Sequence, residues 1–328
     1  MTNPHMAGQH YTLQVTDLKK HFGGVRALDG VSFSVRSGEC VALIGPNGAG
    51  KSTCFGTLAG QHQPDAGRVE WGASASAHGV QSGAVHGEQS GAGKGEQSSA
   101  NNAAEHGAEH AADSARLQDI TGHSAAALSA RGIGRTFQVA QLFEALTVLQ
   151  NVQLVAQYPR QLAGFLPLKN QGVEAAHALL QSLGLQAVAH TQALLLPYGL
   201  KKRLELGIAL AGQPRLLLLD EPAAGLAELE RRDLMLLIKS LTAPDKSLAA
   251  ENKNLAILYT EHNMDAVFGI ADRVLVLIDG KLAAQGTPGE VAESAVVRSR
   301  YLGTTQNTHL AGLGQKVGAA AGQGAPHA

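Results

Sequence analysis

The sequence predicts an α/β fold built on a parallel sheet, and three observations carry that prediction. Short β-rich runs alternate with helical patterns along most of the chain. The runs LLLL at 216–219, LAILY at 255–259 and VLVLI at 274–278 are apolar throughout. Strands covered on both sides of a parallel sheet need that continuous pattern, whereas half-exposed strands alternate. Finally, the glycine-rich loop GPNGAGKST at 45–53 follows directly on the apolar run CVALI, so a strand, a tight loop and a helix succeed one another within a few residues.

In chain order the candidate strands are Tyr11 to Val15, Val31 to Val35, Cys40 to Ile44, Arg68 to Trp71, Leu216 to Leu219, Leu255 to Tyr259 and Arg273 to Ile278. Of these, the runs at 216–219, 255–259 and 274–278 are the ones expected to be buried on both faces. Asp279-Gly280, between RVLVLI and KLAAQG, predicts a two-residue hairpin turn. Thr287-Pro288-Gly289-Glu290 then offers a capping threonine, a proline at the first helical position and a glutamate three residues after the cap, so a last helix begins there.

From Gly72 to Ser114 the chain is dominated by Gly, Ala, Ser, His, Gln and Glu, with Val80 and Val85 its only larger aliphatics. Such a stretch buries too little apolar surface to offset its ordering entropy and is expected to be a disordered insertion. The near-repeat GEQS at 87–90 and 95–98 fits a low-complexity origin. Within it His106 and His110 fall one helical turn apart, a metal-binding spacing, although a solvated polar tract is the expected reading. The tail from 304 to 328 has the same character and is also expected to be disordered, and the N-terminus over 1–10 is expected to be flexible.

Composition narrows the function. Among 328 residues, 26 Lys and Arg oppose 27 Asp and Glu, which argues against binding nucleic acid through bulk positive charge. Two cysteines, Cys40 and Cys54, build no disulfide framework and suit a reducing compartment; Cys54 reads as a small buried residue. The N-terminal MTNPHMAGQH lacks the pattern of a signal peptide. No apolar run approaches the roughly 18 residues of a spanning helix, so any membrane role is expected to come through a partner.

The loop at 45–53 satisfies G-x-x-x-x-G-K-[ST] in the strand, loop, helix context that gives the pattern its meaning. Gly45, Gly48 and Gly50 let the backbone wrap with its N–H groups inward, and Pro46, Asn47, Ala49 and Thr53 complete the cradle. The following helix presents its positive end to phosphates. Lys51 is expected to reach the β and γ phosphates of ATP and the Ser52 hydroxyl to ligate Mg2+. RLLLLDEP supplies a second metal-side oxygen, Asp220, at the mouth of a core strand, and Glu221 is placed to orient and deprotonate the attacking water.

These motifs together resemble the nucleotide-binding subunit of an ABC transporter, over about residues 11–303 with 72–114 inserted. The resemblance implies a P-loop NTPase with a RecA-like core, an antiparallel β subdomain and an α-helical subdomain at about 139–212. It implies further site residues. GRTFQ places Gln138 where the family has a glutamine touching both the metal site and the membrane partner. LYTEH places His262 as the γ-phosphate switch, and KKHFGGVRAL places Phe22 as the aromatic that stacks on adenine.

The family's signature loop, usually LSGGQ, stands here as Leu196-Pro197-Tyr198-Gly199-Leu200. There Tyr198 and Gly199 are expected to meet ATP held by a second subunit. Pro197 removes a hydroxyl and an N–H, Leu200 replaces glutamine, and Gly199 remains. After the acids, Gly225-Leu226-Ala227-Glu228 lacks the usual aspartate.

Within the family, GIGRTFQ, LFEALTVLQNV, DEPAAGL, EHNMD and RSRYLG resemble the ATPase subunits of branched-chain amino-acid importers, and importers of urea and short amides share much of this pattern. The expected partners are two integral-membrane permease subunits, a second ATPase subunit that is a copy or a paralogue, and, indirectly, a periplasmic binding protein; no nucleic acid is expected. The expected location is the cytoplasmic face of the inner membrane. A soluble, non-transport ABC ATPase switch is the alternative from another class.

Overall fold

The computed structural model describes residues 10–74, 117–136, 142–157, 172–242 and 255–302. Its centre is a six-stranded sheet in the spatial order β10-β9-β3-β8-β7-β6. β3 is Cys40–Ile44, β6 Ile133–Arg135, β7 Leu216–Asp220, β8 Ala256–Thr260, β9 Arg273–Ile278 and β10 Lys281–Gly286. Neighbours from β9 to β6 run parallel, and β10 returns antiparallel to β9. The predicted turn makes that return: Asp279 and Gly280 take φ of 50° and 74°, the two positive values a type I′ hairpin requires.

The reason the apolar runs were continuous is visible in the packing. Cys40, Ala42 and Ile44 of β3 point into one apolar cluster and Val41 and Leu43 into another on the opposite face. Leu217 and Leu219 of β7 divide from Leu216 and Leu218 in the same way, as do Ile257 and Tyr259 of β8 from Ala256 and Leu258. Every one of these side chains is buried. At about 1.5–3 kcal/mol for each large aliphatic removed from water, this doubly covered sheet is the main source of stability.

One face of the sheet is covered by helix α1 (Lys51–Leu58) and by a second, antiparallel sheet of β1 (His10–Phe22), β2 (Val25–Arg36), β4 (Ala66–Ser74) and β5 (Gln118–Asp119), ordered β2-β1-β4-β5. The other face meets the helices after β6, among them Val148–Gln157, Val173–Ser182, Tyr198–Ala211 and Glu228–Ser240. β4 runs on to Ser74, pairing Gly72 with Thr12 and Ala73 with Tyr11. Gly72 to Ser74 are therefore strand rather than insertion, because β1 offers a pairing edge that composition alone does not reveal. The rest of that segment, with His106 and His110, lies outside the described residues, as does the tail from 303.

The helix Pro288–Glu293 begins where the sequence predicts, although it is not the final one: short helical turns at Ala295–Val297 and Arg298–Leu302 follow it. The Thr287 side chain accepts from the Glu290 N–H while the Glu290 carboxylate accepts from the Thr287 N–H, a complete capping box with Pro288 at the first position. Among the described residues no helix is long and apolar enough to cross a membrane.

Candidate active site

The candidate site lies where the parallel strands end. β3 stops at Ile44 and the chain turns at once into Gly45. At Gly50, which has φ +100°, an added Cβ would lie 2.3 Å from the Ala27 carbonyl oxygen, so only glycine passes there into the first turn of α1. The loop is held from outside by the β9–β10 hairpin: the Gly280 N–H donates to the Ala49 carbonyl at 3.1 Å, and the Asp29 N–H donates to the Gly280 carbonyl at 2.8 Å. Helix α1 is buried nearly all round, through Lys51, Cys54, Phe55, Gly56, Thr57 and Leu58, which fixes its N-terminus against the loop. Burial pushes the Cys54 thiol up to about 12.

Lys51 is 7% exposed, and its Nζ donates to the carbonyls of Gly45 at 2.7 Å and Pro46 at 3.0 Å. Burial pulls its pKa down, and the charges of Glu221 and Asp220 pull it back up. That opposition places both acids within electrostatic reach of the lysine. Ser52 and Asn47 are exposed at the mouth of the loop, Thr53 is half-buried and Ala49 is buried.

The second wall comes from β7 and β8, whose register sets Asp220 opposite Thr260. Thr260 Oγ1 donates to Asp220 Oδ1 at 2.7 Å and accepts from the Glu221 N–H at 2.9 Å. One hydroxyl thus orients both consecutive acids. Glu221 has φ +47°, the left-handed turn that swings its side chain out of the strand. Its Oε1 lies 2.7 Å from His262 Nε2. Two residues named separately by sequence are therefore one hydrogen-bonded pair.

Next to that pair, Glu261 is 5% exposed and accepts from the Ala223 N–H at 3.1 Å and the His262 N–H at 3.2 Å. Sequence reasoning missed Thr260 and Glu261. The available signal was a threonine and an acid ending an otherwise apolar strand, immediately before the named histidine.

Phe22 ends β1 at the tip of the first hairpin with its ring 45% exposed. His62 meets it edge to face at 5.4 Å between centroids, and the Lys20 ammonium lies 5.3 Å from its centre. Since His62 also packs against α1 at Gly56, the aromatic is tethered to the phosphate-loop helix.

Tyr198 and Gly199 open the helix Tyr198–Ala211, with Pro197 preceding them at the cap. The Tyr198 hydroxyl donates to the Ala224 carbonyl at 3.2 Å and its ring packs on Gly225, which joins the signature loop to the segment after Glu221 within one chain. A Cβ at Gly199 would lie 2.7 Å from the Glu230 carboxylate, so glycine there admits an acid to the helix N-terminus. Gln138 lies outside the described residues; β6 ends beside β7, with the Thr136 N–H donating to the Leu218 carbonyl at 2.9 Å.

The arrangement sets a glycine-rich loop and a lysine on one side, and an acid paired with a histidine on the other, at the ends of adjacent strands. Comparison with known proteins identifies its setting. The ABC transporter family model matches residues 28–224. The chain is 32% identical over 301 residues to the high-affinity branched-chain amino acid transport ATP-binding protein LivG of Salmonella typhimurium, covering 89% of this chain and 97% of that one. It is 31% identical, over the same shares, to the corresponding protein BraF of Pseudomonas aeruginosa. Among solved structures, the ADP conformation of MJ1267, an ATP-binding cassette of an ABC transporter, aligns with a TM-score of 0.65 and 27% identity, over 89% of this chain and 99% of that one.

Proposed function

The chain belongs to the ABC transporter family as an ATPase subunit, and we propose that it powers import of branched-chain or other hydrophobic amino acids through a pair of membrane permeases. The observation that carries the reading is the convergence of Lys51, Asp220, Glu221 and His262 at the carboxyl ends of β3, β7 and β8, adjacent strands of one parallel sheet. Ligands of open α/β sheets bind at such ends, and the Glu221–His262 pair gives this one a hydrolytic centre.

In this reading ATP is the substrate. Backbone N–H groups of the loop, other than those of Pro46, which has none, and Ala49, which donates to the Pro46 carbonyl, hold its β and γ phosphates with the Lys51 ammonium, and the α1 N-terminus adds its dipole. Lys51 exchanges the carbonyls of Gly45 and Pro46 for phosphate oxygens. Glu221 accepts a proton from the attacking water, while His262 fixes the carboxylate and lies toward the γ phosphate.

The donor set also fits Mg2+. Ser52, exposed at the mouth of the loop, and Asp220, at the end of β7, offer hard oxygens of the kind that ion takes. Bound there, the ion neutralises phosphate charge.

Tyr198 and Gly199 face a nucleotide on a second ATPase subunit, a copy or a paralogue, so that two sites close together on ATP and reopen on hydrolysis. Phe143, Leu194 and Leu195 are exposed, and the Leu194 N–H donates to the Glu144 carbonyl. This apolar surface begins five residues after Gln138 in the sequence and supports permease docking, at the cytoplasmic face of the membrane.

The test is purification of the full chain with its membrane partner, followed by ATP hydrolysis measured with the cognate binding protein loaded with leucine, with a polar amino acid, or with urea. Stimulation by leucine alone supports the reading, and stimulation by urea moves the chain to the amide importers. A chain that hydrolyses ATP and brings down no integral membrane protein is a soluble switch.

A further inference from the structure

The switch histidine and the general base are linked twice, once through their side chains and once through the backbone. The side-chain link is the 2.7 Å contact from His262 Nε2 to Glu221 Oε1. The backbone link runs through Glu261: Oε1 accepts from Ala223, two residues after the base, and Oε2 accepts from the N–H of the histidine itself. The Ala224 N–H closes the turn on the Glu221 carbonyl at 3.1 Å. The result is a closed ring: base, turn, buried carboxylate, histidine, base.

Three features make this more than incidental packing. Glu261 is 5% exposed, and burying a carboxylate is costly unless it is hydrogen-bonded. Its backbone partners Ala223 and His262 belong to the two loops that hold the reacting groups. Burial and the charge of Glu221 push its carboxyl up, against the downward pull of the neighbouring backbone N–H groups.

We propose that Glu261 is a positioning residue for ATP hydrolysis, a carboxylate latch that locks the loop of Glu221 to the loop of His262 so that the two side chains meet at hydrogen-bonding distance. The inference rests on the proposed roles of Glu221 and His262. It assigns Glu261 no contact with nucleotide.

The experiment compares the purified full chain with Glu261→Gln, His262→Ala, the double variant, and Glu221→Gln, measuring kcat, KM for ATP, nucleotide affinity and Tm. Gln is isosteric but turns an N–H donor toward one of the backbone donors and opens the ring. The expected result is a fall in kcat of about tenfold or more with KM and affinity held within about twofold. The Glu261→Gln loss should also be absent in the His262→Ala background, because the latch acts through that histidine.

An unchanged kcat, a loss matched by weakened ATP binding, or a loss that simply multiplies with His262→Ala overturns the proposal. Should the Gln variant melt below the assay temperature, Glu261→Asp, which keeps the charge and withdraws it by one methylene, is judged by the same three outcomes. Wild-type hydrolysis by Glu221→Gln would instead remove the reading on which the inference rests.

Discussion

The Nζ of Lys51 donates to the carbonyl oxygen of Gly45 at 2.7 Å, so the lysine closes over the loop from which it springs. A cation held there by neutral carbonyls is poised to exchange them for charged phosphate oxygens, which make stronger hydrogen bonds. Lys51→Ala is expected to lower ATP hydrolysis by about 100-fold or more and to weaken nucleotide affinity measurably by calorimetry. Unchanged titrations would contradict the phosphate assignment.

Glu221→Gln keeps the shape of the side chain and a hydrogen-bonding partner for His262, and removes the basic oxygen. Hydrolysis should fall by about 10²–10⁴-fold, the usual contribution of a general base, while ATP binding persists. A radiolabelled-ATP filter assay run beside phosphate release separates the two, and full turnover would remove Glu221 from its role.

Gly50→Ala places a methyl 2.3 Å from the Ala27 carbonyl oxygen at a φ of +100°. Strain of this kind costs on the order of 1–3 kcal/mol, so the variant should melt earlier and bind ATP weakly. Gly269→Ala is the control, since a Cβ there meets nothing within 4 Å.

The capping box at Thr287 gives a pH-dependent prediction. Thr287→Ala should cost about 1 kcal/mol. The Thr287 N–H and hydroxyl hold the Glu290 carboxyl below the usual carboxylate range. A depressed folded pKa means the contribution is present above the unfolded value, about 4.3, and is lost as pH falls through the lower folded value. The gap in Tm between wild type and Glu290→Gln should therefore be open at neutral pH and shut on acidification below that range. A gap that is constant with pH would refute the assignment.

Much of this site was legible because its parts are local. The loop at 45–53, the acids at 220 and 221 and the hairpin at 279–280 each declare themselves within a few residues. β3, β7, β8 and β9 were legible because both faces are buried, so no polar residue interrupts them. β6 escaped the strand reading: three residues with a central glycine carry little signal, and its place is set by pairing with β7. The work of Thr260 and Glu261 was hidden for a different reason. It depends on a register that aligns residues forty apart in sequence, Asp220 opposite Thr260, and no local pattern encodes that alignment. The length of β1, thirteen residues, likewise comes from pairing with β2 and β4 rather than from its own mixed composition.

The place of β3 between β8 and β9 has a consequence for how the molecule is made. A nascent chain ending before Ala256 carries the complete nucleotide loop but neither neighbour of the strand that delivers it, and it also lacks Gly280, whose N–H steadies Ala49 from outside. β1, β2 and β4 can zip together while translation continues; the central strand must wait. Affinity for ATP should therefore emerge abruptly once the exit tunnel has released the β9–β10 hairpin, and stalled ribosomes displaying successively longer chains would show it as a step and not a ramp.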